Sequence, residues 1–324
     1  MERRAILLMG PTGAGKTDAA LALVERLPLE IVSVDSAMVY RGLDIGTAKP
    51  AALVRARVPH HLIDIRDPAE RYSVGEFLRD ATEAMDAIRE RGRVPLLVGG
   101  TMLYFRALQS GLATLPAADA ALRAVLDARA RVAGWPALHA ELAALDPVAA
   151  ARIRPNDAQR IQRALEVHAL TGRPLSELQR EDLRGAPGGE YLKLVLAPAA
   201  RAVLDADLER RLDAMLAAGL LAEVDALYRR GDLDPELPAL RAVGYRQLWT
   251  HLAEHSDLAT ARTAALRATR QLAKRQYTWL RAEPGAEWIA GRGAPAAAAL
   301  AARIEQWGIR ESSAQDRCAS IFGH

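Results

Sequence analysis

One stretch near the start of the chain constrains its fold more than any other: Gly10-Pro11-Thr12-Gly13-Ala14-Gly15-Lys16-Thr17. It follows the apolar run Ala5–Met9 and precedes Asp18–Leu27, where apolar residues recur at helical spacing. Strand, glycine loop and helix in that order, with G-x-x-x-x-G-K-T spacing, make a cradle for phosphate. The glycines let backbone N–H groups converge on anionic oxygens, and the helix N-terminus adds a favourable dipole. Lys16 can reach a terminal phosphate, and the Thr17 hydroxyl is placed to help hold Mg²⁺. Residues Gly10 to Thr17 are therefore expected to bind a phosphorylated ligand, whose identity the loop leaves open.

Two further strand-like runs, Glu30–Val34 and Arg93–Val98, end at Asp35-Ser36 and at Gly99-Gly100-Thr101. Between them Ser73 and Glu76 read as a capping box opening a helix through about Arg91. Strands alternating with helices predict an α/β fold, a P-loop NTPase-like parallel sheet with flanking helices. Ligands in such sheets sit beyond the carboxyl ends of the strands. Thr12 to Thr17, Asp35 and Thr101 all fall at such ends, so three strand ends should point at one crevice. Asp35 then reads as a Mg²⁺-associated carboxylate, a general base or a helix cap. Thr101 reads as a hydrogen-bond donor to substrate or as a cap. His60 and His61 would point apart in a strand, which makes them structural rather than ligands of one metal.

Composition narrows the class. Half of the 324 residues are hydrophobic and 26% are charged, the profile of a soluble globular protein. The one cysteine, Cys318, excludes an intrachain disulfide framework, and no apolar run is long enough to cross a membrane. A cytoplasmic setting is expected. The net charge of +3 permits a polyanionic partner without demanding one, so its distribution must decide.

From about Leu115 the alternation stops, and no strand-like run returns until Tyr191–Leu196. This predicts a first part of the core over 1–112, a helical insertion over 113–190 and a second part of the core over 191–291. Residues 292–324 should hold a C-terminal helix and, from Glu311, a disordered tail. In the insertion, Arg152–Gly172 reads as a helix with Pro155-Asn156 at its start and Gly172 at its stop; Ala158, Ile161 and Leu165 share one face. In a helix from about Thr260 to Arg281, Arg267, Arg270, Lys274 and Arg281 share a face, with Tyr277 beside them. Arg160 with Arg163, and Arg241 with Arg246 around Gly244-Tyr245, add further clusters. Each alone suits a solvated surface; together they suit a track for a phosphate backbone.

Six segments resemble those of bacterial tRNA dimethylallyltransferases: Asp35-Ser-Ala-Met-Val-Tyr-Arg-Gly-Leu-Asp-Ile-Gly-Thr-Ala-Lys-Pro50, His60-His-Leu-Ile-Asp64, Val98-Gly-Gly-Thr-Met-Leu-Tyr104, Asn156-Asp-Ala-Gln-Arg-Ile-Gln-Arg-Ala-Leu-Glu166, Ala242-Val-Gly-Tyr-Arg246 and Thr269-Arg-Gln-Leu-Ala-Lys-Arg-Gln-Tyr-Thr-Trp279. The resemblance runs in order over most of the chain. It implies transfer of a dimethylallyl group from its diphosphate to N6 of adenosine 37 in the tRNA anticodon loop, with Mg²⁺ as cofactor. The loop at Gly10–Thr17 would then hold the leaving diphosphate rather than ATP. By the same resemblance Asp35 is the base and Thr101 contacts the target nucleotide. Asp35, Ser36, Ala37, Met38, Gln159, Arg160, Ile161, Gln162, Arg163, Arg241, Gly244, Tyr245, Arg246, Lys274 and Arg275 match tRNA-contacting segments, and Arg123 matches a further contact. A monomer with no membrane partner is expected.

Two departures stand out. Met38 lies where many relatives have Gln, and Asp207 lies where a Leu-x-x-Arg pattern carries Arg, so Arg211 or Arg201 would have to replace that charge. A small-molecule or nucleotide kinase would share the glycine loop but would leave the basic helices unexplained.

Overall fold

The computed structural model describes residues 3–310 except 182 and 185; the tail expected from Glu311 lies outside the described residues. The chain forms two compact units, one of Met1–Arg106 with Gly188–His324 and one of Ala107–Pro187. The strands are β1 (Arg4–Met9), β2 (Leu29–Val34), β3 (His60–His61), β4 (Val94–Gly99), β5 (Leu112–Ala113), β6 (Leu183–Arg184), β7 (Glu190–Ala197) and β8 (Glu287–Ala290).

Six strands build the sheet of the first unit in the order β3-β2-β4-β1-β7-β8, with every pairing parallel. Ile6 lies between Leu96 and Leu192, and Leu8 between Val98 and Leu194. β1 is apolar along its whole centre because both faces are covered, the usual condition of a parallel strand. On one face Ile6, Leu8, Ile31, Leu96 and Leu194 pack with Leu23 of the helix Lys16–Val24 and Leu300 of the helix Gly293–Gln306. The helix Val74–Glu90 packs along β2 and β4, burying Phe77, Ala81, Met85 and Ile88. Its start is the capping box of the sequence: Ser73 Oγ accepts from Glu76 N (3.2 Å) and Glu76 Oε2 from Ser73 N (2.8 Å). With all six strands parallel, their carboxyl ends share one edge of the sheet. The glycine loop follows β1, Asp35 follows β2, and Gly100-Thr101 follow β4.

Three of the short strands, β5, β6 and β8, went unforeseen. β3, β5 and β6 have two residues each, too short to show a period, and β8 is a four-residue edge strand.

The second unit has its own core, in which Leu126, Leu138, Leu142, Ile161 and Leu165 meet. β5 and β6 pair antiparallel within it. Its central helix is Ala158–Thr171, starting later than the sequence suggests because Asp157 caps it, accepting from Arg160 N. Gly172, left-handed at φ +70°, ends it.

Candidate active site

Gly13 and Gly15 adopt φ of +78° and +79°, which turns the loop sharply enough for the helix to begin at Lys16. Thr12 to Thr17 line a cavity of about 300 Å³. Lys16 Nζ donates to the carbonyls of Gly10 (2.9 Å) and Pro11 (2.8 Å). Burial of the ammonium pushes its pKa down to about 8; Asp35 opposes that shift and Arg211 adds to it. Gly10 and Pro11, expected among the phosphate ligands, do not line the cavity. Gly10 is pressed against β7, where a Cβ would come within 2.3 Å of the Leu196 carbonyl oxygen. Pro11 has no N–H to offer and turns its carbonyl to Lys16 and to Ala14 N.

Asp35 Oδ1 accepts from Ala37 N (2.8 Å) and Met38 N (3.3 Å), so the capping geometry is present. The same residue also lines the loop cavity and a second one of about 500 Å³. The two share Thr12, Asp35, Thr47, Gly100, Arg211, Leu272 and Gln276, which makes Asp35 part of the wall between them. Away from the glycine loop the first cavity has Ile31, Met38, Ile63 and Val98 on its walls, together with Ser33, Thr47 and His60. The second carries Ser36, Ala37, Thr101, Arg241, Arg275 and Trp279. Thr101 Oγ1 accepts from Ser36 N (3.1 Å), and Thr101 N donates to Val34 O (3.2 Å), pinning the ends of β2 and β4 together. Met38, expected beside an RNA, instead lines the first cavity, with its sulfur 3.9 Å from Ser33 Oγ. The histidines diverge: His61 Nε2 meets Glu30 Oε2 at 3.0 Å, while His60 Nδ1 meets Val58 O at 2.7 Å and its ring lines the first cavity.

Gln276 is the residue sequence reasoning missed. It is 9% exposed, and its amide bridges two loops: Oε1 accepts from Thr12 N (2.9 Å) and Nε2 donates to Gly100 O (3.0 Å). The available signal was a glutamine in the apolar stripe of the helix Leu258–Arg281, between Ala273 and Leu280.

The basic residues separate into available and occupied ones. Arg241, Arg246, Lys274 and Arg275 are exposed, and Arg241 and Arg275 line the second cavity. Lys274 does not; it lines a groove elsewhere. Arg270 is held by Glu209 at 3.1 Å. Gly244 is buried and lines the second cavity. Tyr245 also lines the second cavity, though it is fully buried with its hydroxyl donating to Glu223 Oε1. Within the second unit Ile161 is 0% exposed in the core and cannot meet a ligand, which corrects its assignment. Arg123 and Arg163 both bind the buried Glu166, at 2.7 and 2.6 Å. Gln162 donates to Asp127 Oδ1 (2.7 Å). Gln159 and Arg160 are exposed.

A family model described as IPP transferase matches residues 38–283, most of the chain. The chain belongs to the IPP transferase family. It is 61% identical over 281 residues to a tRNA dimethylallyltransferase of Bordetella petrii, covering 86% of this chain and 90% of that one. It is 63% identical over 280 residues to the enzyme of the same name from Halorhodospira halophila, with the same coverage. Its structure resembles a full-length tRNA isopentenylpyrophosphate transferase from Bacillus halodurans, with TM-score 0.68, 37% identity and 94% and 96% of the two chains covered. A eukaryotic dimethylallyltransferase acting on tRNA aligns with TM-score 0.75 and 25% identity over 98% of this chain and 77% of that one.

In this IPP transferase the cavity draws on Arg211 rather than Arg201. Arg211 lines both cavities, and burial lowers its pKa against the pull of Asp35 and Asp18. Arg201 lies in the groove that holds Lys274. Asp207 is 8% exposed and pairs with Arg210 and Arg292, and Arg292 Nη2 donates to Gly13 O (2.9 Å). The acid that replaces an expected cation is thus tied through Arg292 to the glycine loop. Among the described residues no helix is long and apolar enough to cross a membrane.

Proposed function

We propose that this chain transfers a dimethylallyl group from dimethylallyl diphosphate to N6 of adenosine 37 in tRNA. The observation that carries this is the position of Asp35 between two unlike cavities. One joins an anion cradle to a wall that includes Ile31, Met38, Ile63 and Val98; the other carries Arg241 and Arg275. Family membership supplies the substrates that fit them.

In the reaction the N6 lone pair attacks the first carbon of the dimethylallyl group. The carbon–oxygen bond breaks, and its electron pair leaves with the diphosphate. Asp35 takes the N6 proton, while Thr101 helps hold the extruded base. Charge growing on the leaving diphosphate is met by Lys16, Arg211 and the N–H groups of Gly13 to Thr17. No cluster of three or more His, Cys, Asp or Glu that could cage a metal is found among the described residues. The hard oxygen donors lining the cavity include the Thr17 hydroxyl and the carboxylates of Asp18 and Asp35, and Thr17 is the one we assign to Mg²⁺. Bound there, Mg²⁺ would neutralise part of the leaving-group charge.

Gln159 and Arg160, together with Arg241, Arg246, Lys274 and Arg275, are the side chains we assign to RNA. Gly244 can contribute only backbone. A monomer working in the cytoplasm, where its tRNA substrate is found, completes this reading.

The test is to incubate the protein with Mg²⁺, dimethylallyl diphosphate and an unmodified anticodon stem–loop carrying A37. The RNA should gain one dimethylallyl group by mass, with diphosphate released only when that RNA is present. Phosphoryl transfer from ATP to a small molecule without RNA would overturn the proposal in favour of a kinase.

A further inference from the structure

A third hollow, of about 400 Å³, shares no lining residue with the two cavities. It lies at the carboxyl ends of β7 and β8, the same edge of the sheet as the glycine loop, against the helix Leu258–Arg281. Ligands of parallel sheets collect along that edge. Its functional lining is Arg201, Lys274, Tyr277, Arg281 and Trp288.

Two features set it apart from ordinary surface. The first is an excess of positive charge, which Asp205 offsets only in part. Lys274 and Arg281 make no ion pair among the described residues, and Arg201 has only Asp205, at 3.8 Å. On the same helix Arg262 and Arg270 are spent on Glu209 and Asp213. Around Tyr277 the charged groups are Arg281, Arg201 and Arg292, with Asp205 as the acid. Gathering like charges costs energy unless a polyanion covers them. The second feature is a flat aromatic surface. The rings of Tyr277 and Trp288 lie 12° from parallel with centroids 6.3 Å apart, and Arg281 sits 5.8 Å from the Tyr277 centroid. Trp288 is left 44% exposed. Cations beside an open aromatic face suit a phosphate joined to a nucleobase.

We infer that this groove holds an unpaired nucleotide of the RNA substrate, its base stacked on Trp288 and its phosphates met by Lys274, Arg281 and Arg201. The inference rests on the proposed function. RNA is preferred to a free nucleotide because the next residue after Lys274, Arg275, lines the second cavity with Arg241. Successive cations of one helix thus serve the two hollows, so an RNA strand crossing that helix meets both.

Trp288→Ala, Trp288→Phe and Arg281→Ala in the full chain test this. RNA affinity for the stem–loop is measured across a salt series, dimethylallyl diphosphate binding is followed by thermal shift, and AMP serves as the free-nucleotide probe. Loss of one stacking partner should weaken RNA binding roughly tenfold in Trp288→Ala, and Trp288→Phe should restore most of it. Arg281→Ala should reduce the logarithmic salt slope by about 0.7, the single-strand value per phosphate. Diphosphate binding should be unchanged in all three. Equal RNA affinity in Trp288→Ala and the parent overturns the inference, as does a loss that Phe fails to rescue. AMP quenching that depends on Trp288, with RNA affinity unaltered, reassigns the groove to a free nucleotide. A parent protein that binds this RNA without prenylating it defeats the proposed function, while the same affinities still decide the groove.

Discussion

At the scale of single residues, Asp35 does two jobs with one carboxylate. Oδ1 ties down the turn through Ala37 N and Met38 N, while the group as a whole stands between two cavities. Asp35→Asn keeps an acceptor for the turn and loses the proton acceptor. Turnover should fall about 10²–10⁴-fold with RNA affinity retained, measured by single-turnover prenylation beside an RNA binding curve. Lys16 makes a second prediction, through pH. Its folded pKa of about 8 lies below its ordinary value of 10.5, so the free protein sheds that proton as pH rises through about 8. Affinity for dimethylallyl diphosphate should therefore fall above pH 8 in the parent and stay flat in Lys16→Met. Stability moves the other way. Between pH 8 and 10.5 the unfolded chain binds the extra proton, so the cost of burying the ammonium is complete below 8 and is relieved as pH climbs to 10.5. Titrating the melting temperature of parent and variant over that window separates the two effects.

At the scale of elements, the site depends on a helix far along the chain holding loops near its start. Gln276 reaches from Leu258–Arg281 to Thr12 N and Gly100 O, so one amide sets the spacing between the glycine loop and the end of β4. Gln276→Glu keeps the acceptor for Thr12, loses the donor to Gly100 and brings a negative charge to the diphosphate site. The expected result is a rise in KM for dimethylallyl diphosphate of at least tenfold, with Gln276→Ala milder because it adds no repulsion. Steady-state kinetics in the diphosphate check it; equal KM values in parent and Gln276→Glu would remove the clamp from the site. The placement of Met38 belongs to this scale too. The turn set by Asp35 aims it at the wall with Ile31, Ile63 and Val98, where its thioether packs and accepts a weak hydrogen bond from Ser33 Oγ.

At the scale of the whole molecule, cations divide into those that hold the fold and those left to solvent. Arg123 and Arg163 spend their charge on Glu166, which is entirely buried. Arg241 and Arg275 face an open cavity without an acidic partner among the described residues. Arg123→Ala should therefore lower stability by about 1–3 kcal/mol, by leaving a buried carboxylate short of a partner, and leave the salt slope of RNA binding nearly unchanged. Arg275→Ala should flatten that slope by about 0.7–0.9 and leave the melting temperature alone. Thermal unfolding and salt-dependent binding on the same two variants discriminate the roles. An unchanged slope in Arg275→Ala would return that residue to the solvated surface.

Read alone, the sequence determined whatever depends on neighbours along the chain. The glycine loop between strand and helix, the cap at Ser73 and Glu76, and the placing of Asp35 and Thr101 after strands are local patterns, and local patterns are written in residue order. The parallel sheet followed from their alternation. Only the tertiary structure decided what depends on partners far away in sequence. Glu166 takes up Arg123 from 43 residues before it, and Gln276 meets Thr12 across 264. Lys274 and Arg275, adjacent and alike in the sequence, face different hollows because successive residues on a helix point about 100° apart. Charge and polarity name what a side chain can do. Whether it is free to do it depends on which partner the fold delivers, and in a low-dielectric interior a polar group must have one.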